Sequence, residues 1–318
     1  MEVFSLTLSQ MLMMFTLILL GFLLRKMHIL PDNANVTMAR LETYIFSPAL
    51  VLSGMLTKCT VESFAQNWKL MLYGAVIIFA ALVLAYILGR LFVRKADTPE
   101  SAYQRNIYTY AMTFGNYGFM GNFIVKGVCG DDAFYQYLLF TFVIGIVCHS
   151  WGLYVLIPKE KGLAGLKKGL INPPMISLVV GIVAGLLGLN QYMPAFATSV
   201  LTNAGNCMGP VAMVLAGFVI GSYNLREILL NKKVYVASIM RLIIIPALIM
   251  VALMVFNTPR DIMSLALICF ATPLGLNTIV YPAAYGGDTK TGASMTTISS
   301  TLAVITIPLM YLLFVVIL

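Results

Sequence analysis

The chain contains ten apolar runs of about 20 residues, and this repetition restricts the fold more than any other feature. A run of that length crosses the hydrocarbon core of a bilayer as an α-helix. Lipid offers no hydrogen bonds, so each segment must satisfy its own backbone polar groups. We therefore expect an all-α integral membrane protein with ten transmembrane helices, over residues 5–24, 38–57, 68–93, 106–127, 133–157, 172–189, 195–220, 233–256, 261–285 and 293–317.

The composition excludes the main classes of soluble protein. Hydrophobic residues make up 60% of the chain and charged residues only 10%, with a mean hydropathy of +0.92. A soluble domain carries about 25% charged residues. A cytosolic enzyme, a nucleic-acid-binding protein and a disordered chain are therefore excluded, and the lipid bilayer is the expected partner. The five cysteines are scattered, so neither a disulfide framework nor a metal site is expected.

The positive charges fall mainly on one side of the predicted topology. We number the nine loops between the predicted spans in chain order. The odd-numbered loops and the adjoining helix ends hold 15 Lys and Arg residues, whereas the even-numbered loops hold 4. The positive-inside rule then places the odd loops in the cytoplasm and both termini outside. This topology explains the net charge of +8 without a nucleic-acid partner.

Two halves of the chain share several motifs at a constant spacing. Asn116-Tyr117-Gly118 in the fourth span corresponds to Pro273-Leu274-Gly275 in the ninth. Each half would hold five helices, and because five is odd, the two halves insert in opposite orientations. Inverted repeats are typical of secondary transporters. The predicted organisation is a first repeat over residues 1–160, a cytoplasmic linker over 161–171 and a second repeat over 172–318.

Both corresponding spans are interrupted near their middle. Residues 115–122 hold three glycines and two asparagines, and residues 271–277 hold Pro273 and Gly275. Such breaks in two halves point to a binding site. The second half-helices should begin near 118–122 and 275–278, where free N–H groups attract a carboxylate. The side chains of Asn116, Asn122 and Asn277 lie at the same depth. An alternative is that the glycines permit close packing and the asparagines bond across helices.

Three ionisable residues within the spans are functional candidates. Arg241 could attract an anionic substrate, and binding to carbonyl groups at a break is an equal alternative. His149 is the candidate for proton coupling, and a hydrogen-bonded packing role is the alternative. Glu42 is expected to pair with Arg40 at the cytoplasmic edge. No carboxylate is expected at the membrane centre.

The chain resembles the auxin efflux carrier family in its short bacterial form, within the superfamily of bile, arsenite and riboflavin transporters. The segments that carry the resemblance are 114–121 (FGNYGFMG), 172–174 (NPP), 271–277 (ATPLGLN), 285–288 (YGGD) and 300–302 (STL). The resemblance runs along the whole chain. It implies that the fourth and ninth helices cross at the midplane. It also implies a scaffold of helices one, two, six and seven, and a mobile transport domain made from the rest.

The resemblance implies a carrier of a small organic anion, such as a mono- or dicarboxylate, that works by alternating access in an elevator mechanism. The expected substrate-binding residues are Asn116, Tyr117, Gly118, Asn122, Thr272, Pro273, Asn277, Pro48, Pro210 and Arg241. The two prolines would line the scaffold wall. No cofactor is expected beyond a coupling proton or sodium ion. The expected location is the bacterial inner membrane, with a homodimer formed through the scaffold.

Two alternatives remain from the sequence. The nearer is a sodium-coupled symporter of the bile-acid type, in which carbonyls of the crossing helices would hold the cation. The farther is a membrane sensor or an enzyme. An enzyme lacks support because the chain has only two histidines and no pair of carboxylates at a span centre.

Overall fold

Helices form nearly all of the computed structural model, which describes residues 2–157, 171–285, 287 and 289–317. Within those residues the only β-type pairing is an isolated bridge between Gly115 and Leu274. The predicted linker therefore lies almost wholly outside the described residues. The helices are α1 (Glu2–Lys26), α2 (Ala34–Lys58), α3 (Val61–Asn67), α4 (Lys69–Phe92), α5 (Pro99–Thr113), α6 (117–129), α7 (Gly130–Phe140), α8 (Phe142–Leu156), α9 (Pro173–Leu186), α10 (Ala195–Gly221), α11 (Leu225–Leu229), α12 (Lys232–Val255), α13 (Arg260–Ala271), α14 (Asn277–Tyr285) and α15 (Lys290–Tyr311).

Several helices are long and apolar enough to cross a membrane. Within the described residues five pass on length and composition, and two bent pairs, with bends of 103° and 52°, bring the number to as many as seven. The prediction of an all-helical, multi-pass membrane protein is confirmed. The five helices are Leu8–Lys26, Lys69–Phe92, Ala195–Gly221, Lys232–Val255 and Lys290–Val315.

The chain reverses direction between α6 and α7. Gly130 has φ +84° and ψ −177°, a conformation that residues with a side chain rarely adopt. The hydroxyl of Tyr137 donates to the Tyr117 carbonyl at 3.1 Å, although these residues are 20 apart in sequence. A straight helix would separate them by about 30 Å. Therefore α6 and α7 lie side by side and antiparallel.

Loops rich in positive charge meet at one end of the helices. Lys233 donates to the carbonyl of Phe92 at 3.1 Å, and Lys290 pairs with Glu227 at 2.7 Å. We call this the basic end. At the other end, which we call the opposite end, Lys58 at the end of α2 pairs with Asp132 of α7 at 2.6 Å. Helix α4 therefore ends at the basic end, where α12 and α15 begin, and α2 ends at the opposite end, where α7 begins.

The helices pack in two groups. In the first helix group α10 packs against α1 and α2, and α9 packs against α2. In the second helix group α4 and α8 pack against α5, and α12 and α15 pack against α13. This group also contains α6, which packs against α13, α7, which packs against α4, and α14, which packs against α15. The contact of α1 with α15 joins the groups. The large buried side chains Tyr110, Phe114 and Tyr137 lie in the second helix group, around the two breaks.

Candidate functional site

The two interrupted helices meet at their breaks. Helix α5 ends at Thr113 and α6 begins at 117, while α13 ends at Ala271 and α14 begins at Asn277. The connecting segments are antiparallel, and the backbone N–H of Asn116 donates to the Pro273 carbonyl at 2.8 Å. We call this pair of segments, residues 114–116 and 272–276, the crossover. Helix α6 begins at 117, one residue before the predicted range of 118–122. Helix α14 begins at Asn277, inside the predicted range of 275–278.

Gly115 allows the two crossover segments to approach each other. A Cβ atom at this position would lie 2.7 Å from the Thr272 carbonyl oxygen and 2.7 Å from Nη2 of Arg241, and it would also contact the Thr272 hydroxyl. Real Cβ atoms do not approach backbone so closely, so only glycine fits without displacement. The glycine of the first break therefore serves the pairing with the second break.

Arg241 binds the carbonyl ends of both first half-helices. Its Nη1 donates to the carbonyls of Met112 and Thr113 at 3.0 and 3.2 Å, and its Nη2 donates to the Cys269 carbonyl at 3.5 Å. The last carbonyls of a helix lack partners within the helix and carry partial negative charge. The side chain is 1% exposed. Of its two predicted roles, the geometry matches carbonyl binding, since Arg241 does not line either cavity described below.

The two asparagines at the breaks make different contacts. Asn116 precedes α6, and its Oδ1 accepts a bond of 3.4 Å from the Met120 N–H, as an N-cap residue does. Asn277 begins α14, and its Nδ2 donates to the Tyr110 hydroxyl at 2.8 Å and to the sulfur of Cys148 at 3.5 Å. Asn116 is 4% exposed, whereas Asn277 is partly exposed.

The first cavity lies between the two helix groups and reaches from the crossover toward the basic end. The empty space within it, including open solvent, is about 940 Å³. The wall from the first helix group comprises Glu42, Thr43, Ser47, Val51, Asn172, Pro174, Met175, Leu178 and Met208. The wall from the second helix group comprises Tyr117, Gly118, Phe119, Asn122, Leu138, Thr141, Gly145, His149, Leu153, Asn277, Val280 and Tyr281.

The first cavity brings together part of the predicted site. Five predicted residues line it: Tyr117, Gly118, Asn122, Asn277 and His149. The others lie behind the lining or beside it: Asn116, Thr272, Pro273, Pro48, Pro210 and Arg241. Pro48 and Pro210 were expected to line the scaffold side of the site. Their neighbours in sequence, Ser47 and Met208, line the wall that the first helix group contributes. Substrate binding by any of these residues stays a prediction.

His149 faces the first cavity from α8 and is held by a tyrosine of α14. Its Nδ1 lies 2.6 Å from the Tyr281 hydroxyl, and the ring is partly exposed. Tyr281 was not among the predicted site residues. The two residues are 132 apart in sequence, so no local pattern could have indicated the contact.

Glu42 is the functional candidate that the sequence prediction misjudged. The expected ion pair with Arg40 is wrong: Arg40 is exposed, whereas Glu42 is 0% exposed. Neither carboxylate oxygen has a hydrogen-bond partner among the described residues. Helix α2 begins at Ala34, whereas the predicted span begins at 38, so Glu42 lies about two turns inside the helix and not at its edge. In the sequence, the feature that could have indicated this burial is an isolated carboxylate within an apolar run.

A second cavity extends from the same region toward the opposite end. The empty space within it, including open solvent, is about 610 Å³. Lys126 and Asn206 lie in its wall, and Nζ of Lys126 donates a hydrogen bond of 3.1 Å to Oδ1 of Asn206. Three residues line both cavities: Phe119, Asn122 and Met208. These side chains form the partition between the two cavities.

Comparison with protein families gives a match along most of the chain. A family model described as a membrane transport protein matches residues 6–311 of the 318-residue chain. The matched range begins in α1 and ends with α15, so it contains both breaks and both cavities. A search of curated proteins finds no match.

Proposed function

The chain belongs to the auxin efflux carrier family of membrane transport proteins, and from this premise we propose that it is a secondary transporter of a small organic anion, such as a mono- or dicarboxylate. The match to the family confirms the resemblance seen in the sequence. A multi-pass membrane transporter is thereby established, and a transporter family gives no support to an enzymatic role. The substrate class and the mechanism are our proposal.

One observation carries the anion assignment: the starts of two half-helices border one cavity. Tyr117 and Gly118 open α6, and Asn277 opens α14, and all three line the first cavity. The N-terminus of a helix carries roughly half a positive charge and presents free N–H groups. Among the described residues that line the cavity there is no Lys or Arg. We therefore place the substrate carboxylate between these two helix starts, with the side chains of Asn277 and Asn122 beside it.

Alternating access follows from the position of the cavities. The first cavity lies between the helix groups, and among the described residues it shares Phe119, Asn122 and Met208 with the lining of the second. A displacement of the second helix group along the first would close one cavity and open the other around the same crossover. We propose that α1, α2, α9 and α10 form the scaffold and that the rest form the mobile domain.

The membrane topology belongs to the same proposal. Two broken helices and a chain reversal at Gly130 support ten spans in two inverted repeats of five. We place the basic end in the cytoplasm and both termini outside, in a bacterial inner membrane. The first cavity would then open to the cytoplasm.

A thermal-shift assay on the purified protein tests the proposal. Ligand binding to the folded state raises the melting temperature. We expect carboxylates such as malonate, malate or acetate to raise it, and the corresponding amides not to. The response should be lost in Asn277→Ala and kept in Asn190→Ala, a matched change in an exposed turn. Equal shifts in both variants, or equal shifts with amides, would refute the site. Parallel samples with sodium and with potassium test the bile-acid-type alternative.

A further inference from the structure

The carboxyl group of Glu42 is buried in the wall that the first helix group contributes to the first cavity. It has no hydrogen-bond partner among the described residues. Its residue exposes no surface, and both of its oxygens lack hydrogen bonds among the described residues. It lies on a π-helical turn, Glu42–Phe46, between the two α-helical parts of α2. The neighbouring Thr43 hydroxyl donates to the Ala39 carbonyl at 2.8 Å and so does not serve Glu42.

Among the described residues of the elements that pack against Glu42, no positive group compensates an ionised carboxylate. The turn packs against α9 and α10 and against the rest of α2. Helix α9 contains no titratable residue, and α10 contains only Cys207, which is exposed. On α2 itself, Arg40 is exposed and Lys58 pairs with Asp132 at the opposite end.

Across the cavity, the titratable groups that face this wall are one histidine and two tyrosines. His149, Tyr117 and Tyr281 line the second wall, and His149 is already engaged with the Tyr281 hydroxyl at 2.6 Å. Tyr281 belongs to α14, which packs against residues 34–41 of α2. The second half-helix of the crossover therefore lies against the turns that precede Glu42.

We propose that Glu42 binds the proton that accompanies the substrate anion, so that anion and proton occupy the first cavity together. The proposal rests on the proposed function, since it assumes that the cavity receives an anion. A carboxylate removed from water without a donor or a counter-charge is unfavourable, so the buried group is held as the neutral acid. When the cavity widens and water reaches Glu42, the acid can release its proton.

Linkage between the two ligands follows from charge. An ionised Glu42 and a bound carboxylate would repel each other across a cavity that excludes bulk water. The anion therefore binds the protonated form better, and by reciprocity the bound anion favours protonation. Where Glu42 is ionised in the free protein, binding takes up one proton. The affinity for an anion must then fall as pH rises, by at most about tenfold per pH unit.

An infrared spectrum tests the protonation state without any substrate. At neutral pH the wild-type protein should show the carbonyl band of a protonated carboxylic acid, and Glu42→Gln should lack it. Glutamine has the shape of the neutral acid, so this variant is expected to fold. The same spectrum of Asp132→Asn, a change at an exposed and paired carboxylate, serves as the control and should keep the band. A wild-type protein without the band would overturn the proposal.

A titration with malonate tests the linkage. Between about pH 7 and pH 9 simple carboxylates are ionised and a histidine in water is mostly neutral, so neither dominates the pH dependence. We expect the wild-type affinity to fall above the pH at which the substrate-free protein loses the infrared band of Glu42, by at most about tenfold per pH unit, and that of Glu42→Gln to change less than about twofold. His149→Gln should keep the wild-type slope. A wild-type slope in Glu42→Gln, or a flat response in His149→Gln alone, would overturn the proposal.

The two measurements separate the failure of this proposal from the failure of the proposed function. If malonate, malate and acetate all fail to bind although the infrared band is present, the anion-carrier function is wrong and the proton linkage falls with it. If an anion binds with an affinity that does not depend on pH in the wild type, only the assignment of Glu42 is wrong.

Discussion

The two breaks of the crossover look alike in sequence and act differently in the structure. Asn116 is almost fully buried, caps α6 and lies in the segment that pairs with Pro273. Asn277 is partly exposed, lines the first cavity and bonds to Tyr110. One asparagine therefore stabilises the crossover, and the other presents polar atoms to the cavity. A break in a membrane helix thus needs internal partners first, and only the polar groups left over can serve a ligand.

Loss of Arg241 should have the largest effect, since this residue serves both breaks. Arg241→Leu leaves the carbonyls of Met112, Thr113 and Cys269 without their shared donor inside the membrane. We expect a loss of about 3 kcal/mol or more in the free energy of unfolding. Thermal or denaturant unfolding in detergent measures it. Arg226→Leu, at an exposed position, should change stability by less than about 0.5 kcal/mol. Similar stabilities for the two variants would contradict the capping role.

Alanine substitutions at Gly115 and Gly118, two glycines of the first interrupted helix, should give the next largest difference in stability. An alanine Cβ at Gly115 would lie 2.7 Å from the Thr272 carbonyl oxygen, whereas one at Gly118 meets nothing within 4 Å. We expect Gly115→Ala to destabilise the protein by about 1–3 kcal/mol, as overpacking does. Gly118→Ala should leave the melting temperature nearly unchanged. Equal destabilisation by the two changes would mean that the close approach of the segments does not matter.

Substitutions of the two asparagines should have smaller effects, mainly on carboxylate binding for Asn277 and mainly on stability for Asn116. Asn277→Ala should weaken carboxylate binding by about tenfold or more, which is about 1.4 kcal/mol. Asn116→Ala removes an N-cap and should cost about 1 kcal/mol of stability, with the smaller effect on binding. Measuring both the melting temperature and the affinity for each variant separates the roles. If Asn116→Ala weakens binding as much as Asn277→Ala does, the two breaks act alike and the comparison fails.

Local sequence pattern indicated the two breaks and the helix starts that follow them. Glycine, asparagine and proline inside apolar runs weaken a helix wherever they occur, so positions 114–116 and 272–276 could be expected from sequence. The contact between Asn277 and Tyr110 joins residues 167 apart, and no periodicity reports such a pair. Arg241 carried two open roles in the sequence, and only the position of the carbonyls distinguishes them.

The wrong expectation for Glu42 follows from an incorrectly predicted helix start. A start at 38 puts Glu42 about one turn from the beginning of the helix, where an exposed ion pair is expected, and the observed start at Ala34 puts it about two turns inside, where it is 0% exposed. A shift of one helical turn therefore changed a surface residue into the candidate for proton coupling. Element boundaries are the least reliable part of sequence prediction, and here a functional residue depends on one.

Counterflow uptake by the reconstituted protein tests the central claim most directly. Proteoliposomes loaded with unlabelled malonate, or with the carboxylate that gives the largest thermal shift, are placed in a trace of the labelled compound. We predict uptake above that of empty liposomes for the wild type and for Asn190→Ala, and loss of uptake for Asn277→Ala. Uptake by Asn277→Ala at the wild-type rate, or no uptake of any carboxylate by the wild type, would contradict an anion carrier with its site at the crossover.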